Sequence, residues 1–135
     1  MAEAETDSAV VDASAFVELL CKTELERPVA ERLRDRRLMS PAHFDAEVLS
    51  ALGRLQRAGE LTKQQAEQRI EELADWPFDR RPLAPLLAGA WRRRHNLQLA
   101  DALYVELAAQ LGDVPLVTTD SGMAEWCSSG ELVAR

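Results

Sequence analysis

Short apolar runs alternate along the chain with longer segments that have helical periodicity. Residues 8–11 and 115–118 are apolar and rich in β-branched side chains, which predicts two buried strands. Weaker strands are expected at 37–39, at 79–83, where a proline favours an edge, and at 131–133. Strands that alternate with helices predict an α/β fold in which a mostly parallel sheet is covered on both faces.

The helical segments are marked by apolar positions three and four apart and by capping residues. The longest is expected to begin at Ser40 and Pro41, an N-cap followed by a first-turn proline, and to end before Gly59. Thr62 and Gln65 form a capping box that opens the next helix, so residues 42–75 are predicted to be a helical hairpin. The other helices are expected at 15–21, 27–36, 83–94, 99–111 and 121–127.

The composition is that of an ordinary globular protein. The chain has 135 residues, of which 47% are hydrophobic and 29% are charged. This favours one domain over residues 8–135, preceded by a disordered acidic tail at 1–7. No apolar run approaches the roughly 20 residues that span a bilayer, and the acidic N-terminus is unlike a targeting peptide. We therefore expect no membrane association and a cytoplasmic location.

The charge distribution leaves the class of partner open. A net charge of −7 argues against nucleic acid, but arginines cluster at 36–37, 80–81 and 92–94. These clusters are either a solvated surface paired with the surplus glutamates, or a rim that contacts phosphate groups.

Two aspartates stand where predicted strands end. Asp12 follows the first strand and Asp120 follows the fourth. Because the carboxyl ends of parallel strands meet at one edge of a sheet, these side chains are expected to lie near each other. Each could simply cap the helix that follows it. However, two such carboxylates on neighbouring strands repel unless a cation or a proton lies between them.

Further acidic candidates lie on predicted helices. Asp101 is on a helix that is apolar almost all round, opposite Glu106 and Gln110, so its charge must lie near the sheet or core and favours a functional role. Asp45 and Glu47 compete for a fourth place. The helical wheel puts Asp45 nearer the centre of the apolar stripe and Glu47 at its border, and periodicity does not decide between them.

Several carboxylates without histidine or cysteine suit Mg²⁺ or Mn²⁺, which prefer oxygen ligands. Such a site can direct water at a phosphodiester and stabilise the leaving oxygen. The sequence contains no phosphate-cradling loop, no dinucleotide fingerprint and no pattern suited to a Ser–His–Asp triad.

Four segments together resemble the PIN-domain nucleases and, more narrowly, the VapC toxins of bacterial toxin–antitoxin pairs. They occur in the family's order and spacing, and the resemblance extends from about residue 10 to residue 126. The segments are 11–15, 41–49, 100–104 and 116–120. The resemblance implies a three-layer α/β/α sandwich with a mostly parallel sheet of four to five strands. It also implies an endoribonuclease that depends on Mg²⁺ or Mn²⁺ and cleaves structured RNA such as tRNA or rRNA.

The same resemblance assigns the site residues and the partners. It puts the acidic, metal-holding positions on Asp12, Glu47, Asp101 and Asp120, and so selects Glu47 over Asp45. It matches Ser14 and Thr118 to hydroxyl positions beside the metal. A cognate antitoxin is expected to bind the hairpin, and homodimers are usual in the family. Four apolar side chains are candidates for partner contacts, with core packing as the alternative: Leu55, Leu61, Trp76 and Trp91.

Two other functions remain in view. A receiver domain also combines a parallel sheet with an acidic magnesium pocket, but it needs a lysine after a late strand, and this chain has only Lys22 and Lys63. A PIN-like module that binds RNA or protein without cleaving RNA is the non-enzymatic alternative.

Overall fold

Five parallel strands form one sheet in the computed structural model, which describes residues 7–135. The strand order is β3-β2-β1-β4-β5, so the first strand is central. The strands are β1 (Ser8–Val11), β2 (Arg37–Pro41), β3 (Phe78–Arg81), β4 (Leu116–Thr118) and β5 (Gly130–Leu132). The predicted tail at 1–7 lies outside the described residues except for Asp7, so its disorder stays a prediction.

Seven α-helices occur within residues 7–135. They are α1 (Ala13–Leu20), α2 (Glu26–Leu33), α3 (Phe44–Arg57), α4 (Lys63–Asp75), α5 (Leu87–Arg92), α6 (Leu99–Gln110) and α7 (Ser121–Glu125). The hairpin of α3 and α4 is confirmed, with both bonds of the predicted capping box at Thr62 and Gln65. The single helix predicted over 83–94 is instead a 3-10 turn at Ala84–Leu86 followed by the short α5. Pro85 lies in this turn and disfavours the α-helical conformation at the residue before it, Ala84.

The strand order creates a gap at the carboxyl edge of the sheet. β1 pairs in parallel with β2 on one side and with β4 on the other. Because parallel crossovers are right-handed, α1–α4 cover one face and α5–α7 cover the other, which confirms the three-layer α/β/α sandwich. The chain changes direction between β1 and β4, and ligands of open parallel sheets bind at such a point.

The start of the longest helix was predicted wrongly. Ser40 and Pro41 continue β2 because Ser40 pairs with Arg80 and Pro41 with Arg81 on β3. The Ser40 hydroxyl is buried and donates a 2.6 Å hydrogen bond to the Val11 carbonyl, so it does not cap a helix. The helix begins three residues later than predicted, at Phe44.

An aromatic cluster fixes the hairpin to the sheet. The Phe16 ring makes edge contacts with Phe44, Trp76 and Phe78 at centroid distances of 5.1–5.3 Å. Trp76 is therefore partly buried against the core rather than a free partner contact. Among the four apolar candidates for partner contacts, Trp91 alone is largely exposed, at 56%.

The arginine clusters are divided between structural and exposed roles. Arg80 makes a two-pronged ion pair with Asp45, with N–O distances of 2.8 and 3.0 Å, and Arg93 pairs with Glu106 at 3.2 Å. These two arginines connect elements of the fold and are not a free phosphate-binding rim. The members that remain exposed are Arg37, Arg92 and Arg94. No helix within residues 7–135 has both the length and the apolar character to cross a membrane.

A close backbone approach at Gly130 gives a test of the packing of β5 against α7. A Cβ atom at Gly130 would lie 2.7 Å from the Ala124 carbonyl oxygen. We expect Gly130→Ala to lower the free energy of unfolding by about 1–3 kcal/mol in urea denaturation. Gly53→Ala is the matched control, since its Cβ would meet only the flexible end of Arg57; it should raise stability by about 0.5–1 kcal/mol. An unchanged urea midpoint for Gly130→Ala would contradict the close approach.

Candidate active site

A cavity of about 680 Å³ lies at the carboxyl edge of the sheet, where β1 and β4 end. It contains five of the six site residues predicted from the sequence: Asp12, Ser14, Glu47, Asp101 and Asp120. The sixth, Thr118, is fully buried at the end of β4 and contacts Asp12 from below. The structure therefore brings all six together, while their roles in catalysis stay predictions.

Asp12 is the most buried of the four carboxylates, at 3% exposure. It caps α1, because its Oδ1 accepts a 3.0 Å hydrogen bond from the Ala15 N–H. The Ser14 hydroxyl donates to the same carboxylate at 2.8 Å, and the Thr118 hydroxyl donates to Oδ2 at 2.8 Å. The Asp12 side chain therefore both caps α1 and lines the pocket.

Burial raises the pKa of Asp12 from 3.8 to about 6, because removing a carboxylate from water disfavours its charge. The hydrogen bonds from Ala15, Thr118 and Ser14 act in the opposite direction, and the nearby charge of Asp101 raises the pKa further. The three hydrogen-bond donors therefore offset only part of the rise in pKa that desolvation causes. An added positive charge in the cavity would stabilise the ionised form.

The two hydroxyl residues join the ends of β1 and β4. Thr118 Oγ1 donates to Asp12 and accepts a 2.9 Å hydrogen bond from the Asp120 N–H. Ser14 Oγ donates to Asp12 and accepts a 3.3 Å hydrogen bond from the Thr119 N–H. They orient carboxylates rather than act alone.

Asp101 lies in the first turn of α6 and is partly exposed to the cavity. Its pKa is raised by burial and then by the charges of Asp120 and Glu47, while His43 lowers it. The carboxylates of Asp101, Asp120 and Glu47 therefore lie close enough for the charges of the last two to disfavour the ionisation of Asp101.

Asp120 caps α7 with one carboxylate oxygen. Its Oδ1 accepts hydrogen bonds from the N–H groups of Gly122 at 2.9 Å and Met123 at 3.2 Å. Within the described part of the chain, its Oδ2 has no hydrogen-bond partner, and the residue is exposed. This oxygen is available to a ligand in the cavity.

The structure distinguishes Asp45 from Glu47, between which the helical wheel did not decide. Glu47 lines the cavity, and its Oε1 accepts a 2.6 Å hydrogen bond from the Tyr104 hydroxyl. Asp45 is absent from the cavity lining and is held by Arg80 from β3. Both acids lie in the first turn of α3, so contacts with other elements, rather than helix position, distinguish them.

Sequence reasoning missed Tyr104 and His43 as residues of this site. Tyr104 contacts Glu47, and His43 Nε2 lies 3.7 Å from the same carboxylate. Spacing contained a signal for both, since Tyr104 is three residues after Asp101 and His43 is four residues before Glu47. Residues three or four apart share a helix face.

The donors of the cavity suit a hard divalent cation. All four acids offer oxygen, which Mg²⁺ and Mn²⁺ prefer. Burial, and to a smaller extent the charge of neighbouring carboxylates, raises the pKa of Asp12 and of Asp101. Within residues 7–135, no three acidic, histidine or cysteine side chains are close enough together to hold an ion by themselves.

Comparison with known sequences identifies close relatives. The PIN-domain family model matches residues 9–127. Ribonuclease VapC3 of Mycobacterium tuberculosis is 54% identical over 126 residues, which are 91% of this chain and 90% of that protein. Ribonuclease VapC12 of the same species is 37% identical over 116 residues, with coverage of 86% and 89%.

Solved structures share the fold at lower sequence identity. A Pyrobaculum aerophilum protein has a TM-score of 0.69 at 24% identity, covering 93% of this chain and 83% of that chain. A chain of a toxin–antitoxin complex from Klebsiella pneumoniae has a TM-score of 0.66 at 17% identity, with coverage of 92% and 96%. Mycobacterium tuberculosis VapC20, a toxin described as cleaving the sarcin–ricin loop, has a TM-score of 0.65 at 17% identity, with coverage of 87% and 94%.

The pKa of Asp12 gives a pH test of the cavity. Folded Asp12 keeps its proton up to about pH 6, whereas the unfolded chain loses it near 3.8. Between these values the folded state binds more protons, so this residue makes the free energy of unfolding fall as pH rises from about 4 to about 6. The difference is worth about 3 kcal/mol. We expect Asp12→Asn to remove this fall and to be more stable than the wild type above pH 6 in urea unfolding.

The control for this measurement is Asp113→Asn, which changes an exposed acid whose contact is with Ser128. It should keep the wild-type dependence on pH. If the difference in stability between Asp12→Asn and the wild type is constant from pH 4 to pH 8, the raised pKa is contradicted.

Proposed function

The chain belongs to the PIN-domain family, as a VapC-type toxin, and we propose that it is an endoribonuclease that cleaves structured RNA with the help of a divalent cation. The observation that carries this proposal is the convergence of four carboxylates in one cavity at the point where the strand order changes direction. The names of its relatives, Ribonuclease VapC3 and Ribonuclease VapC12, support the same activity.

Each side chain of the pocket has a proposed task. Asp12, Asp101 and Asp120 hold Mg²⁺ or Mn²⁺ directly or through water, and Glu47 completes the acidic wall. Ser14 and Thr118 keep the Asp12 carboxylate oriented by donating to it. When bound, the cation supplies activation of water and stabilisation of the charge that develops on phosphodiester oxygens.

We propose tRNA or an rRNA loop as the substrate. The cavity continues beyond the acids along α3, where Arg54 lines it. Arg92 and Arg94 are exposed at the end of α5 and in the segment that leads to α6. Arginine guanidinium groups match phosphate oxygens, so these three side chains can hold an RNA backbone despite the negative charge of the whole chain.

We also propose a cognate antitoxin as a protein partner. Leu55 and Leu61 line the same cavity beside the turn that joins α3 to α4 and are partly exposed there. An antitoxin segment that binds this apolar end would cover the acidic pocket at the same time. The structural likeness to a chain of a toxin–antitoxin complex is consistent with such an arrangement.

The nuclease proposal is tested by exchanging each acid for its amide. Asp101→Asn and Glu47→Gln should lower the rate of RNA cleavage by at least about 100-fold, because each removes a charge that faces the cation. Asp45→Asn is the matched control on the same helical turn as Glu47: its ion pair lies outside the cavity, so cleavage should continue while thermal stability falls. The measurement uses fluorescent RNA and antitoxin-free protein with Mg²⁺, with EDTA as a second control.

Two results would count against this function. Wild-type cleavage by Asp101→Asn would remove that residue from the site. A wild-type protein that binds RNA but does not cut it with Mg²⁺ or Mn²⁺ would favour the non-enzymatic binding module instead. Mapping the cleavage ends across total cellular RNA would identify the substrate.

We also propose that the chain forms a homodimer through an exposed apolar patch. The patch is formed by Leu87, Trp91 and Leu99, which are 56%, 56% and 46% exposed. Patches of this kind mark interfaces between protein chains. We expect twice the chain mass for the wild type in light scattering and a monomer for Trp91→Glu. Trp126→Glu, which changes another exposed tryptophan, should remain a dimer. A monomeric wild type would overturn the dimer.

A further inference from the structure

Tyr104 connects two of the helices that build the acidic pocket. It lies on α6 three residues after Asp101, is 1% exposed and lines the cavity. Its hydroxyl donates to Oε1 of Glu47 on α3 at 2.6 Å, a length typical of a hydrogen bond to an ionised carboxylate. The tyrosine is thus a fixed donor between the helices that hold Asp101 and Glu47.

The contacts of Glu47 are one-sided. Tyr104 donates to Oε1, and His43 Nε2 lies 3.7 Å from the same oxygen. Among residues 7–135, no side chain or backbone group makes a hydrogen bond or an ion pair with Oε2. The carboxylate is therefore anchored by one oxygen while the other is left for the cavity.

His43 holds the tyrosine ring in place from the other side. The two rings lie 4.9 Å apart at a tilt of 48°, and His43 Nε2 is 3.0 Å from the Ala100 carbonyl oxygen. Because a carbonyl can only accept a hydrogen bond, Nε2 carries the proton. His43 therefore joins the start of α3 to the start of α6 and limits the movement of both Tyr104 and Glu47.

We propose that Tyr104 is a positioning residue that anchors Oε1 of Glu47 and directs Oε2 to the cation and substrate. The proposal rests on the proposed function, since it takes the ligand of the pocket to be a divalent cation. It adds a residue that the acidic motif does not include. Removal of groups that orient a ligand of a metal typically costs about 10- to 100-fold in metal affinity or activity.

The first test asks whether the hydrogen bond between Tyr104 and Glu47 contributes to the free energy of unfolding. Tyr104→Phe deletes only the hydroxyl, and Glu47→Ala deletes its acceptor. A double-mutant cycle in urea measures whether the two changes are coupled. We expect the double variant to lose less stability than the sum of the two single losses. Simple additivity would show that the hydrogen bond does not form and would overturn the proposal.

The second test asks whether the contact matters for cation binding. Mn²⁺ affinity is measured by electron paramagnetic resonance or calorimetry in the absence of RNA. Tyr104→Phe should weaken it roughly tenfold, and adding Tyr104→Phe to Glu47→Ala should cause little further loss. The control is Glu106→Gln, which alters a buried acid on the same helix that faces Arg93 and Gly89; it should lower stability but leave Mn²⁺ affinity unchanged.

The outcomes separate this proposal from the proposed function. The positioning role is overturned if Tyr104→Phe keeps wild-type Mn²⁺ affinity, or if Glu106→Gln weakens Mn²⁺ binding as much as Tyr104→Phe does. In either case RNA cleavage by the wild type still supports the nuclease. If the wild type binds Mn²⁺ but cuts no RNA, the nuclease fails, and weaker Mn²⁺ binding by Tyr104→Phe still supports positioning. A wild type that binds no Mn²⁺ overturns the positioning role.

Discussion

Repulsion among carboxylates at one edge of the sheet is the constraint on which the pocket depends. Four acids share the cavity, and each lies at the start of a helix. Asp12 and Asp120 are the N-caps of α1 and α7, and Glu47 and Asp101 lie in the first turns of α3 and α6. Helix N-termini carry partial positive charge, which favours an anion by about 0.3–1 kcal/mol each. The fold therefore offsets part of the repulsion through its backbone, before any bound cation contributes.

This arrangement follows from the α/β architecture. In a parallel sheet covered by crossover helices, the first helix after a strand begins at the edge where that strand has ended. An acid at a strand end and an acid in a first helical turn are therefore brought to the same edge. Asp12 bears a further cost, since burial, together with the charge of Asp101, keeps its pKa raised to about 6 despite three hydrogen-bond donors. Natural proteins keep such local conflicts mainly where function requires them.

The sequence predicted the parts of the site that local rules determine. Strand ends and helix starts place Asp12, Asp101 and Asp120 at one edge, and apolar runs locate β1 and β4. The choice between Asp45 and Glu47 was beyond those rules, because both lie in the first turn of one helix. Arg80, 35 residues away, removes Asp45 from the pocket, and Tyr104, 57 residues away, holds Glu47 in it. Ser40 was misread for a similar reason: the pairing of β2 with β3 extends the strand through a sequence that favours a helix start.

For an acid at the start of a helix, a role as a cap therefore does not exclude a role in binding a ligand. An aspartate that caps a helix with one oxygen has its position fixed and its second oxygen unoccupied, as Asp120 does. Glu47 reaches the same state by another route, since Tyr104 takes the place of the helix backbone as the donor to one oxygen. A carboxylate anchored in this way loses little conformational freedom when it binds a ligand, and preorganisation of this kind favours binding. The local role as a cap thus supports the role in the pocket.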